Sequence, residues 1–402
     1  MSAPGPRLAD LLWHNLRLYP DKVALRIDGQ PRTYRELAAR VQALVARLSG
    51  SVRPGDRVGL WFHNCHAWVE SFLALDALGA VMVPINTRLT GQELRQIFEV
   101  ARLQGLVTTG HYRRRRYSEE AREVLRHADS RVVVWEAHDD LPASQWPQFV
   151  LGGDAPRTGP RTPEDVFCIQ YTSGTTSIPK GVMLTDTAYL ATAAYVARCQ
   201  RLTPSSQFIS AGPFFHCSGS MHALTVCLLA GCTLNSMSVW DPERFLDEVA
   251  AHRCDVSHMI YYRDVLALDS GRARGRLASM QVTHDLGTPD FLRRIHDELG
   301  VPGVSNLYGM TETAGQFTMW FPDDPLALRI TGNGRPQPGN QVRIADPDTL
   351  QELAPGATGE IQMRGHTVSP GYFDNPEAQQ QAFTPDGWFR SGDLGRIGEL
   401  GQ

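Results

Sequence analysis

Lysine is almost missing from this chain. Of 39 basic residues in 402, only Lys22 and Lys180 are lysines, and the rest are arginine. The bias reads as a GC-rich genome rather than a function. Excess positive charge is also lacking. The formal net charge is −4, which gives no footing for nucleic acid. No uninterrupted apolar run approaches the ~20 residues of a membrane span. The start, Met1-Ser-Ala-Pro-Gly-Pro-Arg7, lacks the basic-then-apolar pattern of a signal peptide. Seven cysteines occur, without a CxxC pair or metal-finger spacing, so reduced thiols in a cytoplasm are expected. The order GxxxxGK[ST] of a Walker A loop is absent. With 42% apolar and 20% charged residues, the chain has the composition of an ordinary globular protein, long enough for two or three subdomains.

Against that background one stretch stands out: Tyr171-Thr-Ser-Gly-Thr-Thr-Ser-Ile-Pro-Lys180-Gly-Val182. Thr172, Ser173, Thr175, Thr176 and Ser177 offer hydroxyl donors. Gly174 lets backbone N–H groups turn toward an anion. Lys180 adds a compact ammonium, suited to a phosphate that must be released. The composition is that of a loop holding a polyphosphate. An apolar strand-like segment, Asp165 to Ile169, precedes it, and Met183 to Val196 reads as a helix after it.

Before the loop, strands and helices alternate. Leu8–Leu18 reads as an amphipathic helix. Val23 to Ile27, Asp28-Gly29 and Arg32 to Tyr34 read as a hairpin. Thr33 and Glu36 form a capping box for a helix running to Leu48. Strands at Arg57 to Phe62 and Ala80 to Pro84 alternate with helices at Ala67 to Leu78 and Gly91–Val100, the rhythm of a parallel sheet. Arg113-Arg-Arg-Arg116 is the sharpest charge run. It reads as a solvated loop end, with contact to an anionic partner as the alternative. Pro142 to Pro163 reads as a connector. After the loop the rhythm resumes, with a helix at Gly219 to Leu229 and a strand at Val256 to Tyr262. Beyond Pro322 short alternating segments predict a β-rich portion. The expected divisions are 1–165, 166–322 and 323–402.

The loop, with Val304-Ser-Asn306-Leu-Tyr308-Gly309-Met-Thr311-Glu312, Gly371-Tyr-Phe373 and Ser391-Gly-Asp393, resembles the motif set of the adenylate-forming enzymes. These are the acyl-CoA synthetases, nonribosomal adenylation domains and luciferases. The likeness runs over nearly the whole chain. It implies an α/β fold: two α/β subdomains packed into a layered αβαβα core, with a small C-terminal β-barrel-like subdomain. It also implies ATP or AMP, Mg²⁺ and coenzyme A as cofactors, and a small-molecule carboxylic acid as substrate, with no nucleic acid or membrane partner.

The residue roles follow from the resemblance. Thr172 to Ser177 and Lys180 would hold the β- and γ-phosphates. Tyr308 would stack on adenine, with Gly287, Thr288 and Asn306 lining the base. Thr311 would donate to phosphate. Glu312 would be the carboxylate for Mg²⁺, which prefers oxygen ligands. Asp393, with two acceptor oxygens, would take the ribose hydroxyls. His216, in a turn similar to the family's Pro-x-Phe-His-x-x-Gly, would border the substrate carboxylate. The acyl pocket would draw on Phe214, Phe215, His216, His222, Tyr261 and Tyr262, and on Gly309, Gln316, Phe317, Met319 and Trp320. His216-Cys217-Ser218 stands where amino-acid-activating relatives carry an aspartate, so a hydrophobic or bulky acid is expected.

Two departures from the pattern matter. Ser177 replaces a glycine, and Leu286-Gly-Thr-Pro289 replaces Gly-Gly-Ala-Pro. If the loop needs positive φ at 177, serine costs on the order of 1–2 kcal/mol and weakens adenylation. The chain also stops at Gln402, before the hinge and small mobile domain of the family, and so reads as the large N-terminal domain. Loading of a carrier protein, or adenylate binding without catalysis, are the alternatives to thioester formation on coenzyme A.

Overall fold

A computed structural model describes residues 7–126, 132–151, 166–172, 179–258, 261–399 and 401. They group into two compact units. The first comprises Met1–Asp186, Ala211–Ser220 and Thr233–Val239; the second comprises Thr187–Ser210, Met221–Cys232 and Trp240–Gln402. The class is mixed α/β, with parallel sheets layered by helices and small antiparallel sheets toward the C-terminus.

The first unit holds a seven-stranded sheet in the order Gln148–Leu151, Val132–Ala137, Gly105–Thr109, Arg57–Trp61, Val81–Pro84, Val166–Thr172, Lys180–Thr185. The five central strands are parallel, and the two outermost pair antiparallel. Strands buried on both faces read as continuous apolar runs rather than alternating ones, which is the pattern of Val132-Val-Val-Trp135. The hairpin Val23–Ile27 and Gln30–Thr33 turns through Asp28 and Gly29, with φ of 52° and 78°. Both positive values are what a two-residue primed turn requires. The capping box at Thr33 forms as expected, with Thr33 N donating to Glu36 Oε2 at 2.8 Å and Glu36 N to Thr33 Oγ1 at 3.2 Å.

The helix His66–Ala77 is buried at every residue but the last, as an all-round apolar helix must be. Its two acids are engaged. Glu70 receives Arg40 Nε at 2.9 Å on both oxygens. Asp76 accepts from Ala9 N at 2.8 Å, which fixes the start of Leu8–Leu18. Burial raises the Glu70 pKa, and the Arg40 hydrogen bond opposes the rise.

Several boundaries differ from the sequence reading. The segment after the loop opens as the strand Lys180–Thr185, and its helix is Asp186–Cys199. Lys-Gly-Val-Met-Leu-Thr pairs with Val166–Thr172, so pairing overrides helix propensity. The connector before the loop contains a strand, Gln148–Leu151. In the arginine run Arg113, Arg114 and Arg116 are exposed, as a solvated loop end would have them, whereas Arg115 is half-buried, binds Glu120 at 2.7 Å and lies over the Trp61 ring.

In the second unit four parallel strands stand in the order Gly303–Ser305, Val282–His284, Val256–His258, Gln207–Ser210. Ser257 lies opposite Thr283, and His258 opposite His284. The strand expected over Val256 to Tyr262 ends at His258, and Tyr262 opens the helix Tyr262–Leu266. The expected helix at 219–229 is Cys217–Gly219, a π turn Ser220–Thr225 and Val226–Ala230; such π turns collect at functional sites. The β-rich end is a three-stranded antiparallel sheet of Gln341–Ala345, Gly359–Arg364 and Phe389–Gly395, with the two-stranded pair Thr318–Met319 and Arg335–Pro336 beside it in sequence. Among the described residues no helix is long and apolar enough to cross a membrane.

Candidate nucleotide and acyl site

The predicted site residues fall into two groups, one in each unit. In the first unit, Thr172 closes one strand and Lys180 opens the next, and the two are register partners. The segment between them therefore joins two antiparallel strands. Gly181 is required there: a Cβ would stand 2.9 Å from Ile169 and Tyr171 side-chain atoms. Ser173, Gly174, Thr175, Thr176 and Ser177 lie outside the described residues.

The Phe214-Phe215-His216 turn belongs to the same unit and is held by two buried amides. Asn64 Oδ1 accepts from Phe214 N at 2.7 Å, and Asn64 Nδ2 donates to the Gly212 carbonyl at 2.9 Å. Gln170 Nε2 donates to the Phe215 carbonyl at 3.0 Å, and Gln170 Oε1 accepts from Cys217 Sγ at 2.9 Å. Gly219 passes so close to the Pro213 carbonyl that no side chain fits. His216 caps the short helix after it, its Nδ1 accepting from Ser218 N at 3.2 Å. That bond leaves Nε2 as the protonated nitrogen. His216 is exposed, and the desolvation it does undergo lowers its pKa. Neutral imidazole is the resting form.

The second unit carries the other residues on segments that leave the C-terminal ends of its parallel strands. After Val282–His284 come Asp285, Leu286, Gly287 and Thr288. Thr288 caps the helix Pro289–Asp297, accepting from Phe291 N at 3.3 Å. Gly287 has no room for a Cβ beside the Phe291 ring. After Gly303–Ser305 comes Asn306, whose Nδ2 donates to the Gly287 carbonyl at 3.2 Å, so the two segments are tied together. Tyr308 Oη then donates to Asp393 Oδ2 at 2.8 Å across 85 residues of sequence. Burial pushes the Tyr308 phenol pKa up, which keeps it a donor. A cavity of about 980 Å³ lies beside this pair, lined also by Phe317, Val342, Ile361 and Leu394. That is the upper end of small-ligand pockets.

Gly309 is pressed against the chain, with a Cβ standing 2.6 Å from Gln316 Cα. Thr311 and Glu312 form a single 3₁₀ turn, Thr311–Thr313. Glu312 Oε1 accepts from Tyr372 Oη at 2.7 Å. Of the expected acyl-pocket residues in this unit, Gln316, Tyr262 and Trp320 are fully buried; each bonds inside the unit, although Gln316 Oε1 finds no partner among the described residues. Gln316 Nε2 donates to the Thr318 carbonyl at 2.5 Å, Tyr262 Oη meets Ser257 Oγ at 2.9 Å, and Trp320 Nε1 donates to the Gly332 carbonyl at 2.8 Å.

Sequence reasoning assigned nothing to Asn64, Gln170, Asp285, Ser369 or Tyr372. Gln170 was detectable as the one amide in an apolar strand. Asn64 gave no local signal, because its partners are about 150 positions away. Asp285 is a buried carboxylate whose pKa burial raises to about 7; it was detectable as an acid just past a strand with no basic neighbour in sequence.

Strand-end segments carrying a tyrosine–carboxylate pair, a Thr-Glu turn and a hydroxyl-rich loop describe a nucleotide-dependent acid-activating enzyme. The chain belongs to the AMP-binding enzyme family, whose model matches residues 12–373. It is 33% identical over 402 residues to a methyl-dioxo-octahydroindenyl-propanoyl:CoA ligase of Mycobacterium tuberculosis, covering 96% of this chain and 76% of that protein. It is 30% identical to indoleacetate–CoA ligase of Aromatoleum aromaticum, covering 96% and 76%. The solved structure of ATP-bound MatB from Rhodopseudomonas palustris superposes with a TM-score of 0.82 at 27% identity, covering 98% of this chain and 77% of that one.

Proposed function

We propose that this chain is an ATP-dependent acyl-CoA ligase acting on a bulky, ring-bearing carboxylic acid. The observation that carries the reading is the Tyr308–Asp393 bond, which joins two motifs distant in sequence beside a cavity of nucleotide size. A carboxylate is a poor electrophile. In the first step its oxygen attacks the α-phosphorus of ATP, the α–β bridging bond breaks and pyrophosphate leaves. In the second step the thiol of coenzyme A attacks the acyl carbon, loses its proton, and AMP departs with the bonding electron pair.

The chain's own groups supply position and charge. Asp393 keeps Oδ1 for the ribose hydroxyls, and Tyr308 presents its ring to the adenine. Thr172, Lys180 and the loop between them hold the β- and γ-phosphates. Thr311 donates to the α-phosphate. Neutral His216, with Nε2–H outward, donates to the acid. The donor set fits Mg²⁺: one carboxylate, Glu312, suits an ion that arrives on nucleotide phosphates and keeps its waters. Bound there, the ion would neutralise phosphate charge.

Support for a bulky acid comes from the relatives, whose names give an indane-type propanoate and indoleacetate. The lack of an acid after Phe215 argues against an amino acid. A cytoplasmic setting suits seven buried thiols, none of them in a disulfide among the described residues.

The test is mass spectrometry of products from the protein given ATP, Mg²⁺, a panel of aromatic and alicyclic acids, and either coenzyme A or a phosphopantetheinyl carrier protein. Acyl-CoA is expected with ring-bearing acids. Product only on the carrier would replace coenzyme A as acceptor, and no acyl-AMP with any acid would remove the enzyme reading.

A further inference from the structure

The Thr311-Glu312-Thr313 turn is gripped at two points by one later segment. Ser369 N donates to the Glu312 carbonyl at 2.7 Å, and Tyr372 Oη donates to Glu312 Oε1 at 2.7 Å. Backbone and side chain of the same residue are thus fixed together. Ser369 and Tyr372 are both buried.

The gripping segment is itself built to hold one shape. Ser369 Oγ donates to the Gly371 carbonyl and accepts from Gly371 N, each at 3.0 Å, closing a tight turn. Gly371 has φ +132°, and a Cβ there would strike Gln379 Oε1. That oxygen is needed, because it accepts from Tyr372 N at 3.0 Å, while Gln379 Nε2 donates to the Pro370 carbonyl at 3.1 Å. Gln379 stands on the helix Pro376–Ala382, which starts on the Asn375 cap. The line of contact runs from a capped helix through Gln379 to Tyr372 and ends on one oxygen of Glu312.

We propose that Tyr372 is the positioning residue for Glu312: it holds Oε1 and so directs Oε2 at the nucleotide's divalent cation. This rests on the reading of Glu312 as the metal-facing carboxylate and goes beyond it. A carboxylate with both oxygens free rotates, whereas Mg²⁺ demands near-octahedral placement of its ligands. Partners that orient a ligand from behind are worth about 10–100-fold in metal affinity or activity.

The test uses the whole chain and a direct readout of metal. Binding of Mn²⁺ in the presence of ATP is followed by electron paramagnetic resonance of free Mn²⁺, for wild type, Tyr372→Phe and Glu312→Gln. Tyr372→Phe is expected to weaken Mn²⁺–ATP binding about 10-fold or more. Its affinity for an acyl-AMP analogue, which needs no metal, stays at the wild-type value, and its adenylation rate recovers at high Mg²⁺. Wild-type Mn²⁺–ATP affinity in Tyr372→Phe, alongside a loss in Glu312→Gln, overturns the positioning role alone. Wild-type affinity in Glu312→Gln overturns the underlying reading. Should Tyr372→Phe fail to fold, Gln379→Met, which removes the acceptor of the Tyr372 amide, must show the same metal-specific loss in smaller degree, and its absence defeats the proposal.

Discussion

The two parallel sheets of this chain share a strand type and differ in what fills them. In the first unit the strand centres are apolar: Val58, Leu60, Leu106, Val107, Val134 and Trp135 are all fully buried. In the second unit the equivalent positions are polar and just as buried: Ser257, His258, Thr283, His284 and Ser305. Apolar filling stabilises in proportion to buried area. Polar filling costs stability unless each group is bonded, and here most are. Ser257 Oγ donates to Thr283 Oγ1 at 2.8 Å. Gln200 Nε2 lies 3.1 Å from His258 Nδ1 and 3.3 Å from His284 Nδ1. A bonded network specifies one arrangement. The arrangement it fixes is the set of strand ends from which Asp285 to Thr288 and Asn306 to Glu312 depart. Ligands of α/β folds bind at such ends. One sheet chiefly stabilises; the other, less stabilising, aims the site.

The largest effect should come from opening the apolar sheet. Trp135→Ala is expected to cost about 3–5 kcal/mol of stability in urea unfolding, with unchanged adenylate affinity per folded molecule. Ser257→Ala strips a hydrogen bond from Thr283 and Tyr262 and should cost about 1–3 kcal/mol, yet it should also weaken adenylate binding. Equal effects of the two on affinity would erase the distinction.

The next effect is one of pH. Burial lowers the His284 pKa to about 4 and that of His258 well below the ordinary value. Between about pH 6.5 and 4 the unfolded chain binds protons that the native one does not, so stability falls as pH falls through that window. For His284 the loss is about 3 kcal/mol. Urea midpoints at pH 7 and pH 5 should differ, and His284→Gln should narrow the gap; an unchanged gap would place the acid sensitivity elsewhere.

Much of this was legible in the sequence because it is local. The Thr33–Glu36 capping box, the Asp28-Gly29 turn and the Val-rich strands are each encoded within a few residues. The family was legible through the resemblance of its motif set. What was hidden is long-range. Nothing near Tyr308 says that its phenol meets Asp393, nor does anything near Glu312 announce Tyr372. Met183 to Thr185 reads in the sequence as the start of a helix but is strand, because pairing with Val166–Thr172 outweighs the helix preference of its neighbours. Tyr262, Gln316 and Trp320 matched expected pocket positions by order along the chain, but order does not say which way a side chain turns.

The account turns on the Tyr308–Asp393 pair as the adenosine anchor, and calorimetry with a non-hydrolysable acyl-AMP analogue tests it most directly. Asp393→Ala removes the carboxylate that Tyr308 orients, and it should weaken the analogue by ~1.5–3 kcal/mol, the scale of hydrogen bonds to a charged group, without altering the melting temperature beyond what one exposed bond contributes. Wild-type affinity in Asp393→Ala would contradict the assignment.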